Sequence, residues 1–303
     1  EFFIFYPGLV HNDPTRLVMG SGDQYEIGDW KHSTARIWFG LSEYFDEVHV
    51  MARGFGNHFR SCSQDNVYLH TVPAVGSSMR SFLLTSRFLP VLARTVQPTH
   101  VLAQSPVFGG PSAAKWANRH SVPAVLEVHG EYYFGANTLA GGRTFDLIIR
   151  PTTARTFGRC DAIRVLAKDM AEQVRDRYGL SAAEKCSIVP PRVNVDVFSQ
   201  KKSHSQSIES VVCVGSLIPL KGHSALIAAL SEVAPEVSLT IVGEGPEWAS
   251  LLKTAQAAGI SLDLPGQLEQ RQVAARLLAA DVYVHASTTE AVPRAVISSG
   301  ARK

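Results

Sequence analysis

Short apolar runs rich in valine, isoleucine and leucine alternate with helix-period patterns from one end of the chain to the other. A run of about five such residues suits a strand buried on both faces, and the helical stretch after it returns the chain to begin the next strand in parallel. In the first half the pattern predicts strands at 2–6, 47–51, 67–72, 99–104, 123–128, 161–165 and 187–189, with helices over 33–45, 78–95, 110–120, 143–158 and 168–178. A second alternation predicts strands at 211–215, 237–242, 260–264 and 281–285, with helices over 222–232, 247–258 and 270–279. No internal repeat, low-complexity tract or heptad run competes with this α/β reading.

At 303 residues the chain exceeds what one core usually organises, so two Rossmann-like, doubly wound domains are expected. The polar stretch from Gln200 to Ser207 follows the turn-rich Val189-Pro190-Pro191-Arg192 and reads as a linker. It sets boundaries of 1–199 for the first domain, 200–208 for the linker and 209–303 for the second. Such a pair puts the carboxyl ends of both sheets around a cleft in which substrates meet. With Lys+Arg 29 against Asp+Glu 27, the balance of +2 gives no reason to expect a nucleic-acid partner. Cys62, Cys160, Cys186 and Cys213 form no Cys-x-x-Cys pair, which points to reduced thiols in a cytoplasmic protein and to neither a zinc site nor a disulfide framework. The opening run Phe2-Phe3-Ile4-Phe5-Tyr6 is too short for a signal or spanning helix and reads as a buried strand, entered abruptly, so the natural chain is expected to begin a few residues earlier.

Three runs in the second half carry the chemistry. Gly215-Ser216-Leu217-Ile218-Pro219-Leu220-Lys221-Gly222 ends a strand with glycine, offers a lysine and opens a helix, which presents a cation and backbone N–H groups to a phosphate. Gly243-Glu244-Gly245-Pro246 is a tight strand-to-helix turn; a need for positive φ explains its glycines but leaves Glu244 unexplained. Glu290-Ala291-Val292-Pro293-Arg294 sets a carboxylate before small residues and a proline at a helix start, where freed amides and an acceptor oxygen suit a polyhydroxylated ring.

Together with Pro265-Gly266-Gln267-Leu268, Ala280-Asp281-Val282-Tyr283-Val284 and Ser287 through Arg294, these runs resemble, in order and spacing, the donor domain of family 4 glycosyltransferases. The joining sequence Ile188 to Phe198 is also similar to that family's, whereas the first half resembles it weakly. The resemblance implies the GT-B architecture and a retaining transfer of sugar, without metal or other cofactor, from a nucleotide diphosphate sugar of UDP or GDP type. It implies as acceptor a hydroxyl on a glycan or a lipid-linked molecule. It further implies that Lys221 serves the diphosphate, where the family adds an arginine at the position of Ser216. Glu290 then contacts sugar hydroxyls, the backbone of Ala291, Val292 and Pro293 approaches sugar and phosphate, and Gly215, Ser216, Gly243, Glu244, Gly245, Gln267 and Leu268 frame the nucleotide. A surface lysine at a helix start is the other reading of Lys221, in an electrostatically unfavourable place.

The family's second glutamate is expected eight positions after Glu290, where Ser298 stands. Ile297-Ser298-Ser299-Gly300 reads as the next strand and its loop, so a donor domain incomplete at its carboxyl end, with a segment absent before Ser298, is expected. In the first half, His129 follows an apolar strand at its carboxyl end, and the resemblance implies a hydrogen bond to the donor sugar or the reaction centre, a catalytic role beside Lys221 and Glu290; a structural histidine is the alternative. Pro7 and Gly8, after the first strand, are placed toward the acceptor, and residues 20–32 read as a long polar loop, either solvated or an acceptor wall. Arg80, Arg87 and Arg94 recur at intervals of seven, compatible with peripheral docking on anionic lipid, although an ordinary amphipathic helix explains them as well. A catalytically silent sugar-binding subunit and a GT-B nucleotide-sugar epimerase are the rival functions.

Overall fold

The computed structural model describes residues 14–30, 34–73, 88–107, 109–129, 145–191, 193–198, 207–288, 290 and 292–300. The chain divides into two compact units, Glu1–Pro190 and Pro191–Lys303. Each carries its own sheet, so each is described by itself.

Among its described residues the first unit holds eight strands: β1 (Arg16–Gln24), β2 (Glu47–Arg53), β3 (Arg60–Gln64), β4 (Val67–Val72), β5 (His100–Ala103), β6 (Ala124–Glu127), β7 (Ala162–Val165) and β8 (Cys186–Ile188). Their order is β3-β4-β2-β1-β5-β6-β7-β8, parallel throughout except for β3, which runs antiparallel to β4. Central strands are apolar on both faces, as a covered parallel sheet requires: Val48, Val50, Met51 and Ala52 of β2 are all buried. Trp38, from the helix Ala35–Leu41, is fully buried and meets Tyr25 edge-on with ring centroids 4.9 Å apart.

The second unit is a four-stranded parallel sheet, β9 (Ser210–Val214), β10 (Ser238–Val242), β11 (Leu262–Gly266) and β12 (Val282–Tyr283), in the order β11-β10-β9-β12. Alternation along β9 supplies two cores. Val211 and Cys213 pack with Leu226, Ile227 and Leu230 of helix His223–Val233 and with Leu251 of helix Trp248–Ala258. Val212 faces the other way, toward Leu277 of helix Gln270–Ala279 and Phe198. Asp281 fastens the start of β12 to that of β9, its Oδ2 accepting from the amides of Glu209 and Ser210 and from Ser210 Oγ at 2.8–3.1 Å.

Four expectations change. Residues 16–24, the last part of which, from Gly20, lies within the polar region read as a loop, form β1 at the centre of the first sheet, because Leu17, Val18 and Met19 are buried there. Strand β3 is polar, Arg-Ser-Cys-Ser-Gln, and pairs only with β4 through the turn at Asp65, whose φ is 52°. Ile297-Ser298-Ser299-Gly300 is not a strand: Arg294–Gly300 is helical, started by Pro293, whose carbonyl accepts from the amides of Val296 and Ile297 at 3.0 and 3.2 Å. The last strand is confined to Val282–Tyr283, two residues of the five expected. In the helix at 88–96, Leu89 and Leu92 are buried and Arg94 is exposed; Arg80 and Arg87 lie outside the described residues. No described helix is long and apolar enough to cross a membrane.

Candidate functional site

All four strands of the second sheet point the same way, so their carboxyl ends share one edge. From β9 the chain winds through β10 and β11 on one side and then crosses to β12 on the other. The point between β9 and β12 is therefore a topological switch point, where open α/β sheets leave a crevice for a ligand. Lys221 lies on the segment after β9, and Glu290 on the one after β12.

The segment after β9 is held by backbone contacts that only glycine permits. A Cβ on Gly243 (φ 152°) would stand 2.0 Å from Gly215 O, and one on Gly245 (φ 157°) would stand 2.4 Å from Leu217 O. Close approach lets the amide of Leu217 donate to Glu244 O at 2.8 Å and that of Glu247 donate to Leu217 O at 3.0 Å. A short 3₁₀ turn, Pro219–Lys221, then leads to Gly222 at φ 66°, the residue before helix His223–Val233. At Gly222 a Cβ would be 2.2 Å from Ala286 O, so this glycine brings the two segments of the switch point against each other. His223, fully buried, lies 3.1 Å from Ser216 O through Nε2, and burial pushes its pKa down, with the Ser216 carbonyl opposing.

Three side chains converge on a single oxygen of Glu290. Lys221 Nζ forms an ion pair and hydrogen bond with Oε1, Ser287 Oγ donates to it at 3.1 Å, and His285 Nε2 lies 3.5 Å away. Lys221 and Glu290 are each 23% exposed, sheltered enough for the pair to be ordered yet open to a ligand. The stem of Lys221 passes over Gly215, its Cδ at an ordinary contact distance of 3.5 Å from where a Cβ there would stand. Helix His223–Val233 begins just beyond Lys221, and its unshared first-turn amides add partial positive charge. A cation, free amides and an oriented carboxylate together suit a phosphorylated sugar.

In the first unit, His129 belongs to a separate network. Its Nε2 lies 3.0 Å from Glu127 Oε2, and Arg164 Nη1 of β7 bonds Glu127 Oε1. Burial alone would raise the Glu127 carboxyl, but the hydrogen bond and charge of His129, with those of Arg164, outweigh it and hold the group below its ordinary value. His129 is 41% exposed above this buried base, at the carboxyl end of β6.

Of the residues singled out in the sequence, Lys221 and Glu290 touch directly, and Gly215, Ser216, Gly243, Glu244 and Gly245 build the adjoining turns. Gln267 is exposed just after β11, Leu268 packs into the core beneath, and Val292 and Pro293 lead into the last helix. Pro7, Gly8 and Ala291 lie outside the described residues. Ser298 is buried in that helix. Tyr283 and His285, and Glu127 with Arg164, were not picked out as site residues. A period of two signals both pairs: Glu127 and His129, like Tyr283 and His285, share a face on an extended chain. Among the described residues no cluster of histidine, cysteine, aspartate and glutamate is placed to hold a metal ion.

Known proteins identify the family to which the chain belongs. The profile of Glycosyltransferase Family 4 matches residues 40–197, and that of Glycosyl transferases group 1 matches residues 195–302. The chain belongs to glycosyltransferase family 4, and its two doubly wound units are those of the GT-B class. Among curated proteins it is similar to the GDP-mannose-dependent alpha-(1-6)-phosphatidylinositol monomannoside mannosyltransferase of Mycolicibacterium smegmatis, 28% identical over 128 residues. That match covers 38% of this chain and 33% of the relative, so it spans only about a third of the relative's length. Among solved structures, sucrose-phosphate synthase from Thermosynechococcus elongatus shares the fold with a TM-score of 0.74 at 14% identity, over 94% of this chain and 78% of that one. HepE from Anabaena, solved with UDP, does so at 0.67 and 14%, over 95% and 78%.

Proposed function

We propose that this chain catalyses retaining, metal-independent transfer of a hexosyl group from a nucleotide diphosphate sugar to a hydroxyl acceptor in the synthesis of a glycan, polysaccharide or glycolipid. The observation that carries this reading is the meeting of Lys221 with Glu290 at the switch point of the second sheet. As the bond from the anomeric carbon to the diphosphate breaks, negative charge grows on the leaving phosphate. Lys221 and the first amides of helix His223–Val233 stabilise that charge more in the transition state than in the ground state. Glu290 accepts hydrogen bonds from sugar hydroxyls and fixes the ring. The acceptor oxygen approaches on the face the phosphate leaves, and its proton passes to the leaving phosphate oxygen. Lys221 supplies the positive charge that a divalent ion would otherwise supply, so turnover is expected to survive EDTA.

The donor of the Mycolicibacterium relative is named as GDP-mannose, and HepE was solved with UDP. Both nucleotides are therefore the first to test, with ADP as a third. Radiolabelled transfer or hydrolysis of UDP and GDP sugars is expected from the wild-type protein. Glu290→Ala and Lys221→Ala are each expected to lower kcat at least about a hundredfold. Turnover unchanged in both variants would overturn the assignment of the site. Sugar binding without turnover would support a silent partner subunit, and release of nucleotide with an isomerised sugar and no acceptor would support an epimerase. His129→Ala tests the expected hydrogen bond to the donor sugar.

A further inference from the structure

The lysine needed for the diphosphate is already committed to Glu290. Drawing it away would leave a carboxylate that is only 23% exposed with Ser287 as its remaining hydrogen-bond donor. A sheltered carboxylate stripped of its cation is costly. The replacement is in place: His285 Nε2 is buried, has no hydrogen-bond partner among the described residues, and lies 3.5 Å from Glu290 Oε1.

The ring is held for that purpose from its other side. Tyr283 Oη lies 3.2 Å from His285 Nδ1, and the two rings stack with centroids 6.4 Å apart at 19°. Tyr283 is a phenol whose ionisation burial disfavours, with Cys213 and Glu290 adding to the effect, so it keeps a proton that it can donate. Donation from Tyr283 to Nδ1 puts the imidazole proton on Nε2, facing Glu290. Every contact of Glu290 falls on Oε1, and Oε2 has no partner among the described residues.

We propose that His285 is a positioning residue that takes over Glu290 Oε1 when Lys221 turns to the donor's diphosphate, keeping Oε2 aimed at the sugar. Tyr283 sets its tautomer. The inference rests on the reading of this site as a nucleotide-sugar site, and it assigns to His285 and Tyr283 a role that neither the lysine nor the glutamate can fill alone. Binding of the diphosphate becomes an exchange, one donor leaving Glu290 as another arrives.

Dissociation constants for UDP and GDP, measured by calorimetry on the full chain, test this in two backgrounds. His285→Phe is expected to weaken nucleotide binding about tenfold in the wild-type background, because Lys221 then leaves Glu290 uncompensated. In Glu290→Ala, where the lysine is already free, the same substitution is expected to change nothing. His285→Gln, which restores an N–H donor, is expected to recover most of the loss. Tyr283→Phe, which keeps the ring and removes only the hydroxyl, is expected to give a smaller loss with the same dependence on Glu290, and it serves if His285→Phe does not fold. Equal losses in both backgrounds, or no loss in either, would overturn the exchange while leaving the donor reading intact. Failure of wild-type protein to bind UDP, GDP or ADP would overturn both.

Discussion

Single charged and titratable groups in this chain are held by specific partners, and two of them carry predictions of their own. Glu127 is buried between Arg164 and His129, and its carboxyl is kept ionised by them. Replacing it by glutamine removes the charge and leaves the Arg164 guanidinium short of its counter-ion. Glu127→Gln is therefore expected to cost about 3 kcal/mol of stability, read as a lower urea midpoint with unchanged slope. His70 of β4 shows the opposite electrostatics. Burial, with the neighbouring His49 charge, pushes its pKa down from 6.5 to about 4, so the unfolded chain binds a proton there before the folded one does. Stability from this group is complete above pH 6.5 and is lost as the pH falls toward 4, by up to about 3 kcal/mol. Urea denaturation at pH 7 and pH 5 is expected to show a fall that is smaller in His70→Phe; an identical fall would show that other groups carry it. Both ring nitrogens of His70 have neighbours, Nε2 standing 3.0 Å from His49 Nδ1 and Nδ1 standing 2.8 Å from Ser61 Oγ.

Among elements, the turn at Gly222 joins the β9 and β12 segments with no room for a side chain. Gly222→Ala must push a methyl into Ala286 O and strain a φ of 66°, so a loss of about 2 kcal/mol is expected. Nucleotide binding is expected to fall further than stability alone accounts for, because Lys221 precedes this turn and Glu290 follows Ala286 on the facing segment. Thermal shift without and with UDP or GDP separates the two effects. The same scale shows what was legible in the sequence. Helices 110–120, 168–178 and 270–279 stood out by their helical period, and most parallel strands because burial on both faces writes an unbroken apolar run. Strand β3 did not, since an edge strand paired on one side has little reason to be apolar and Arg60, Ser61, Ser63 and Gln64 are exposed. Ile297 misled in the other direction: its β-branched side chain suggests a strand, but a weak preference gives way to the helix that Pro293 starts. Motif spacing found Lys221 and Glu290, whereas Arg164 lies 37 residues from Glu127, a partnership that only the register of β6 with β7 reveals.

At the level of the whole molecule, two units with separate sheets and cores are expected to respond unequally to a ligand held by one of them. Trp38 lies buried in the first unit, and Trp248 packs against the core of the second. In single-tryptophan variants keeping one or the other, UDP or GDP at about a hundred times its Kd should stabilise the transition seen by Trp248 by about 3 kcal/mol. The transition seen by Trp38 is expected to move less. Equal shifts would mean that the units unfold as one cooperative body.

Clearance of backbone against backbone at residues 222, 243 and 245 also bears on how such a chain diversifies. At each, an added methyl meets a carbonyl oxygen, which no exchange of a neighbouring side chain can move aside. A library randomised there and selected for nucleotide affinity is expected to return glycine, while exposed Gln267 accepts many residues. Preference for one donor over another in descendants of this chain would then drift through positions such as 267, on a turn scaffold that stays invariant.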